Sequence, residues 1–231
     1  MITPATVILI HGLMGNTVNM KRIEWDLRRQ GYHTINLAYP SRRASIAELS
    51  ERYLAPAIER VPPGETVHFV AHSMGAILVR QYLCAHSITN LGRVVMIAPP
   101  NHGSEIVDWC RRSSMVRRFL GPAGCSLGTS IRDLPQCLCV REMDVGVIAG
   151  DRTLNPCGWF LFSGPCDGTV SVESARLQGM RDFLVVHGSH TLMLWKPSVV
   201  REVRSYLETG RFARGLALTR VSILQTQDAQ R

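Results

Sequence analysis

The chain has 231 residues, enough for one large domain with a substantial core, and its 45% hydrophobic and 19% charged content is that of an ordinary globular protein. No run of 18 or more apolar residues occurs, which excludes a helix crossing a membrane and predicts no stable membrane insertion. The formal net charge is +8, carried almost wholly by arginine, with Lys21 and Lys196 the only lysines. Those arginines are scattered apart from Arg111, Arg112, Arg117 and Arg118, and no nucleic-acid-binding motif accompanies them, so a solvated basic surface is expected and nucleic acid is not.

In chain order, Val7–Ile10 is a predicted strand, followed by the glycine-rich loop His11-Gly12-Leu13-Met14-Gly15 and a predicted helix over Thr17–Arg29. The strand begins within a few residues of Met1, with no basic segment or cleavage site before it, so the expected location is cytoplasmic. A strand over His33–Ala38 and a helix over Ser45–Arg60 come next. Val67–Ala71 then forms a strand that runs directly into the helix Met74–Ala85, with Ser73 at the junction. Strand, sharp turn with Ser, then helix is the context in which G-x-S-x-G marks a nucleophile elbow. Here the pentapeptide is Ala71-His72-Ser73-Met74-Gly75, in which the small Ala71 and Gly75 let strand and helix pass closely.

After the strand Val94–Ala98 the rhythm breaks. Residues 99–143 hold the arginine cluster, Gly121, Gly124, Gly128, Pro122 and Pro135, and apolar residues spaced for short amphipathic helices. An insertion at a strand's carboxyl end sits where a cap or lid would lie. Trp109, Met115 and Phe119 are candidate pocket liners, with core packing the plainer expectation for each. Strands at Val145–Ala149 and Phe183–His187 and helices at Val172–Leu177 and Ser198–Leu207 complete the pattern. Alternating strands and helices predict an α/β architecture, a mostly parallel sheet of about six strands with helices on both faces. One domain over residues 1–210 is expected, with 211–231 a frayed or disordered tail.

A serine hydroxyl needs a base to take its proton. Of the eight histidines, His187 and His190 lie late enough, beside a strand end, and His190 is favoured because it sits in the loop. The acid that orients the base should leave the preceding strand, where Asp151 and Asp167 both fit; Asp167, in an Asp-Gly turn before a helix start, is favoured. Donors for an oxyanion are expected from the backbone N–H groups of Leu13 and Met74, with Gly12 and Met14 contacting substrate. His72 reads as supporting structure, and Thr17 as a helix cap or a residue at the mouth of the site beside Asn19.

Seven cysteines in a chain of this kind predict mostly reduced thiols; a Cys157–Cys166 bridge is a lesser expectation. Cys137-Leu-Cys139 lacks zinc spacing, so neither a metal nor an organic cofactor is expected.

Together, the glycine-rich loop, the Ala-His-Ser-Met-Gly elbow, and Asp167-Gly168-Thr169-Val170-Ser171 followed by Ser189-His190-Thr191 resemble the α/β-hydrolase superfamily, and within it the small bacterial serine lipases and esterases. Pro100-Asn101-His102-Gly103-Ser104 is also similar to the segment after the next strand in such lipases. The resemblance spans roughly residues 5–210 and implies a Ser73–Asp167–His190 triad and hydrolysis of carboxylic esters, small-molecule or lipid, with short or medium acyl chains. An acyltransferase on the same scaffold and a catalytically silent binding protein are the rival readings, and the oligomeric state is not legible.

Overall fold

A computed structural model describes residues 5–139, 142–154 and 160–214. Its strands are β1 (Ala5–Ile10), β2 (His33–Leu37), β3 (Thr66–His72), β4 (Leu91–Ile97), β5 (Val145–Gly150) and β6 (Asp182–Val186). They form one sheet in the order β2-β1-β3-β4-β5-β6, and every pairing is parallel. The sheet therefore has the expected α/β architecture.

Alternation along each strand explains the two-sided core. Val7 and Leu9 of β1 face one apolar cluster, and Ile8 and Ile10 face the other. Because both faces are buried, such strands read as continuous apolar runs. One face is covered by α1 (Thr17–Arg29), through Met20, Ile23 and Leu27, and by the C-terminal helix Pro197–Thr209, through Val199, Val203 and Tyr206. The other is covered by α2 (Ile46–Leu49), α3 (Ala55–Glu59) and α4 (Met74–Ala85).

The single helix expected over Ser45–Arg60 is broken by a π-helical turn at Ser50–Leu54 between α2 and α3. Pro56 explains it: proline has no N–H to donate, and its ring would meet the carbonyl four residues back, so a wider turn relieves the clash. The cap of α1 is Asn16, in a reciprocal box with Asn19, rather than Thr17.

Residues 99–143 hold α5 (Glu105–Cys110), α6 (Ser114–Cys125) and α7 (Leu134–Cys137). α6 is kinked at Gly121, whose φ of 70° precedes Pro122. Buried Arg80 of α4 anchors the insertion by donating to the carbonyls of Asn101 (3.0 Å) and Pro135 (3.2 Å). Ser104 Oγ donates to the Thr169 carbonyl at 2.6 Å, and Arg111 pairs with both Asp108 and Asp133. Arg111 is thus part of the insertion's own framework rather than of a free basic patch. After α7 come α8 (Val172–Ala175) and α9, the C-terminal helix Pro197–Thr209. Beyond α9, Phe212 is buried against Tyr206, and Arg214 pairs with Asp182; residues 215–231 lie outside the described residues.

One cysteine pairing was not anticipated from the sequence. Cys84, near the end of α4, is disulfide-bonded to Cys139 beyond α7, across a sequence separation of 55. Only the folded packing of the insertion on α4, with a Cα–Cα distance of 5.9 Å, brings the two together, and linear spacing carries no sign of it. Cys110, Cys125, Cys137 and Cys166 are not disulfide-bonded, and Cys157 lies outside the described residues.

Reducing the protein, or replacing the pair (C84S/C139S), is expected to lower unfolding free energy by about 2–4 kcal/mol, because a loop of this length is released in the unfolded chain. Urea denaturation with and without reductant measures this; coincident curves would show that the two sulfurs are not joined in solution.

Candidate active site

The sheet order reverses between β1 and β3, and at that switch point the carboxyl ends of neighbouring strands splay apart to leave a crevice. The loop after β1 carries Gly12–Gly15, and the turn after β3 carries Ser73. Ser73 has φ 54° and ψ −124°, a left-handed conformation that is strained for any residue with a Cβ and costs about 1–3 kcal/mol. It is held from both sides: its N–H donates to the Ile97 carbonyl of β4 (2.9 Å), and its own carbonyl accepts from Ala76 N–H (2.9 Å).

Two glycines permit this turn. A Cβ on Gly75 would stand 2.7 Å from the Ile10 carbonyl oxygen and 2.8 Å from that of His11, both backbone atoms. A Cβ on Gly12 would stand 2.9 Å from the Ser73 Cβ. α4 therefore starts in direct contact with the end of β1, and the glycine-rich loop lies against the serine.

The two candidate bases and two candidate acids sort into two pairs. His190 Nδ1–H donates to Asp167 Oδ2 at 2.7 Å, and Ser73 Oγ–H donates to His190 Nε2 at 2.9 Å. The tautomer is assigned from these partners, since a carboxylate on one nitrogen requires a proton there. Asp167 is buried, and its other oxygen accepts the N–H groups of Thr169 (2.9 Å) and Val170 (2.8 Å). His190 N–H also donates to the Asp167 carbonyl at 3.0 Å, locking the two loops together. By contrast, His187 pairs with Asp151 at 3.0 Å and contacts Arg152. The His187 side chain is 56% exposed.

Of the loop donors, Met14 N–H is engaged by Ser41 Oγ at 3.0 Å, while Leu13 N–H makes no hydrogen bond among the described residues. Met74 is the first residue of α4, where an N–H has no intrahelical carbonyl to reach. The Met14 side chain is exposed. Trp109, Met115 and Phe119, for which core packing was expected, are exposed on the insertion.

Three positioning residues carry weaker sequence signals. A Cβ on Gly150, at the end of β5, would sit 2.4 Å from the Gly188 carbonyl and 2.8 Å from Asp167 Cβ, so this glycine lets both loops close. Tyr39 stacks on His11 at 4.3 Å and donates to its carbonyl (2.6 Å), bracing the glycine-rich loop. His72, beside Ser73, donates from Nε2 to the His190 carbonyl at 2.9 Å, and its buried ring lies 4.8 Å from that of His190. Burial, with the neighbouring His190, pushes the His72 imidazole down to about 3, so it is neutral in the folded protein. Burial also lowers His11. Among the described residues no group of three or more metal-ligating side chains gathers in metal-binding geometry.

No protein-family model matches the chain, and no curated protein matches it in sequence. Solved structures do. The lipase BlEst2 of Bacillus licheniformis in its mature form superposes with a TM-score of 0.67 at 20% identity, over 91% of this chain and 93% of that one. This chain has the α/β-hydrolase fold. The metagenomic carboxyl esterase MGS0156 matches at TM-score 0.68 and 18% identity, over 84% of this chain and 66% of the esterase. The RedJ thioesterase of Streptomyces coelicolor matches this chain at TM-score 0.56 and 13% identity, over 90% and 91% of the two chains. Among the described residues no helix is long and apolar enough to cross a membrane.

His72 gives the stability of the fold a pH dependence of defined sign. An unfolded histidine takes up its proton near pH 6.5, whereas folded His72 resists it down to about 3, so the unfolded state binds more protons between those values. The stabilisation is complete above pH 6.5 and falls on acidification, by about 1.4 kcal/mol per pH unit from this group. Urea midpoints at pH 7 and pH 4.5 are expected to differ more for the wild type than for His72→Asn; equal differences would remove His72 from the account.

Proposed function

We propose that the protein is a carboxylic ester hydrolase in which Ser73 is the nucleophile, His190 the general base and acid, and Asp167 the group that orients His190. The continuous chain of hydrogen bonds from Asp167 through His190 to Ser73 carries this reading. Structural neighbours named lipase, carboxyl esterase, phospholipase and thioesterase support it, since all these names denote hydrolysis of an acyl or phosphoryl ester or thioester.

Ser73 Oγ attacks the ester carbonyl carbon as His190 Nε2 takes the hydroxyl proton. The carbonyl π electrons move to oxygen, and the Leu13 and Met74 N–H groups stabilise the resulting oxyanion. The tetrahedral adduct collapses, the C–O bond to the alcohol breaks, and His190 returns its proton to the departing alkoxide. Water then attacks the acyl-serine, losing a proton to His190, and a second collapse releases the carboxylic acid and restores the Ser73 hydroxyl. Asp167, with its carboxylate satisfied by Thr169, Val170 and His190, stabilises the imidazolium in both halves and is not itself protonated. Gly12 and Met14 form the substrate-facing side of the oxyanion loop.

Initial rates on p-nitrophenyl esters from acetate to palmitate test the reading. Ser73→Ala and His190→Ala are each expected to reduce kcat by roughly 10³-fold or more, with Asp167→Asn comparable. Ester turnover that survives Ser73→Ala would refute the assignment, and an inert wild type of intact fold would favour transfer to an acceptor or pure binding.

A further inference from the structure

Beside the oxyanion loop lies a solvent-open recess of about 470 Å³, lined by Met14, Ser41, Arg42, Arg43, Arg118 and Phe119 among others. No acidic residue lines it. Some arginines elsewhere are paired with carboxylates, as Arg111 is with Asp133, Arg93 and Arg181 with Asp144, and Arg214 with Asp182. Among the described residues Arg42, Arg43 and Arg118 have no such partner. Three like charges held close together without a counter-charge repel one another, an arrangement that an arriving anion relieves.

The recess is also fixed in shape. Arg42 is held over the Phe119 ring at 4.7 Å and donates from Nη1 to the Phe119 carbonyl at 3.0 Å, which leaves most of its N–H donors unused. The kink of α6 seats Gly121 so tightly on Arg42 that an added Cβ would come within 2.0 Å of the Arg42 carbonyl oxygen. Met14 N–H on Ser41 Oγ ties the floor of the recess to the loop whose Gly12 touches Ser73.

We propose that this recess is a subsite for an anionic group, phosphate or carboxylate, borne by the ester that Ser73 attacks; this rests on the ester-hydrolase reading above. Guanidinium groups match the two-oxygen geometry of both anions. Continuity with the oxyanion loop places the anion and the scissile carbonyl on one substrate.

The test compares kcat/KM for soluble 1-hexanoylglycerol 3-phosphate with neutral 1-hexanoylglycerol, which present the same ester. A second arm compares p-nitrophenyl hydrogen adipate with its neutral methyl ester, moving the charge to the acyl side. In at least one arm the anionic ester is expected to be favoured by about tenfold or more at low salt, with the ratio shrinking toward one at ~0.5 M NaCl. The double variant Arg43→Gln/Arg118→Gln, which spares the buttressing contacts of Arg42, is expected to bring that ratio close to one. A wild-type ratio near one in both arms, or a preference that the variant retains, would overturn the subsite. Phosphatidate vesicles set against the soluble phosphate ester then tell a lipid headgroup from a soluble substrate. If every ester is inert, the hydrolase reading has failed on its own, and calorimetric titration with glycerol 3-phosphate still judges the recess. Heat present in the wild type and lost in the variant supports it, and its absence from both overturns it.

Discussion

The contact between the start of α4 and the end of β1 governs the rest of the site. Gly75 brings the helix to within van der Waals distance of the Ile10 and His11 carbonyls, and Gly12 brings the next loop onto Ser73. With no room for a side chain at either glycine, the Ser73 backbone is forced into its strained turn, and its hydroxyl stands at the sheet's edge facing His190. A single steric constraint thus sets three things: where the Ser73 hydroxyl points, where the first helix N–H groups aim, and how close the glycine-rich loop lies. The strain is sustained because parallel strands buried on both faces hold β1, β3 and β4 in fixed register.

The remaining parts of the site are organised around that point. Asp167 reaches His190 because Gly150 lets the loops after β5 and β6 meet, and His72 secures the far side of His190 from the strand that leads into Ser73. The insertion is tied down at both ends, through Arg80, Ser104 and the Cys84–Cys139 bridge. Its α6 kink seats against Arg42, and Gly124 packs on Leu13. Changes in the insertion would therefore be felt at the glycine-rich loop through direct contact rather than at a distance.

Local features of this arrangement were legible in the sequence. The ends of α1 and α4 agree with the apolar periodicity, because caps and turns at those ends are local. The β strands were legible because both their faces are buried, although β4 starts earlier than expected, at Leu91, since Gly92 and Arg93 carry no apolar signal. His190 and Asp167 stand out in the sequence by their positions in loops after strand ends, whereas their pairing, and the rival pairing of His187 with Asp151, are facts of folded geometry. The disulfide, the clamp made by Arg80 and the steric roles of Gly12 and Gly150 depend on segments far apart in the chain. No window of sequence contains both halves of such contacts, and for the same reason the π turn before Pro56 became visible only with the backbone in place.

The most direct test of the central claim, an activated serine at position 73, is covalent capture. A fluorophosphonate probe loses fluoride to an activated serine and leaves a stable phosphonyl ester, without presupposing any natural substrate. Intact-mass and peptide mass spectrometry should find one adduct, on the peptide carrying Ser73, and none after His190→Ala. A folded wild-type protein that takes up no probe, or that is labelled at another residue, would contradict the account.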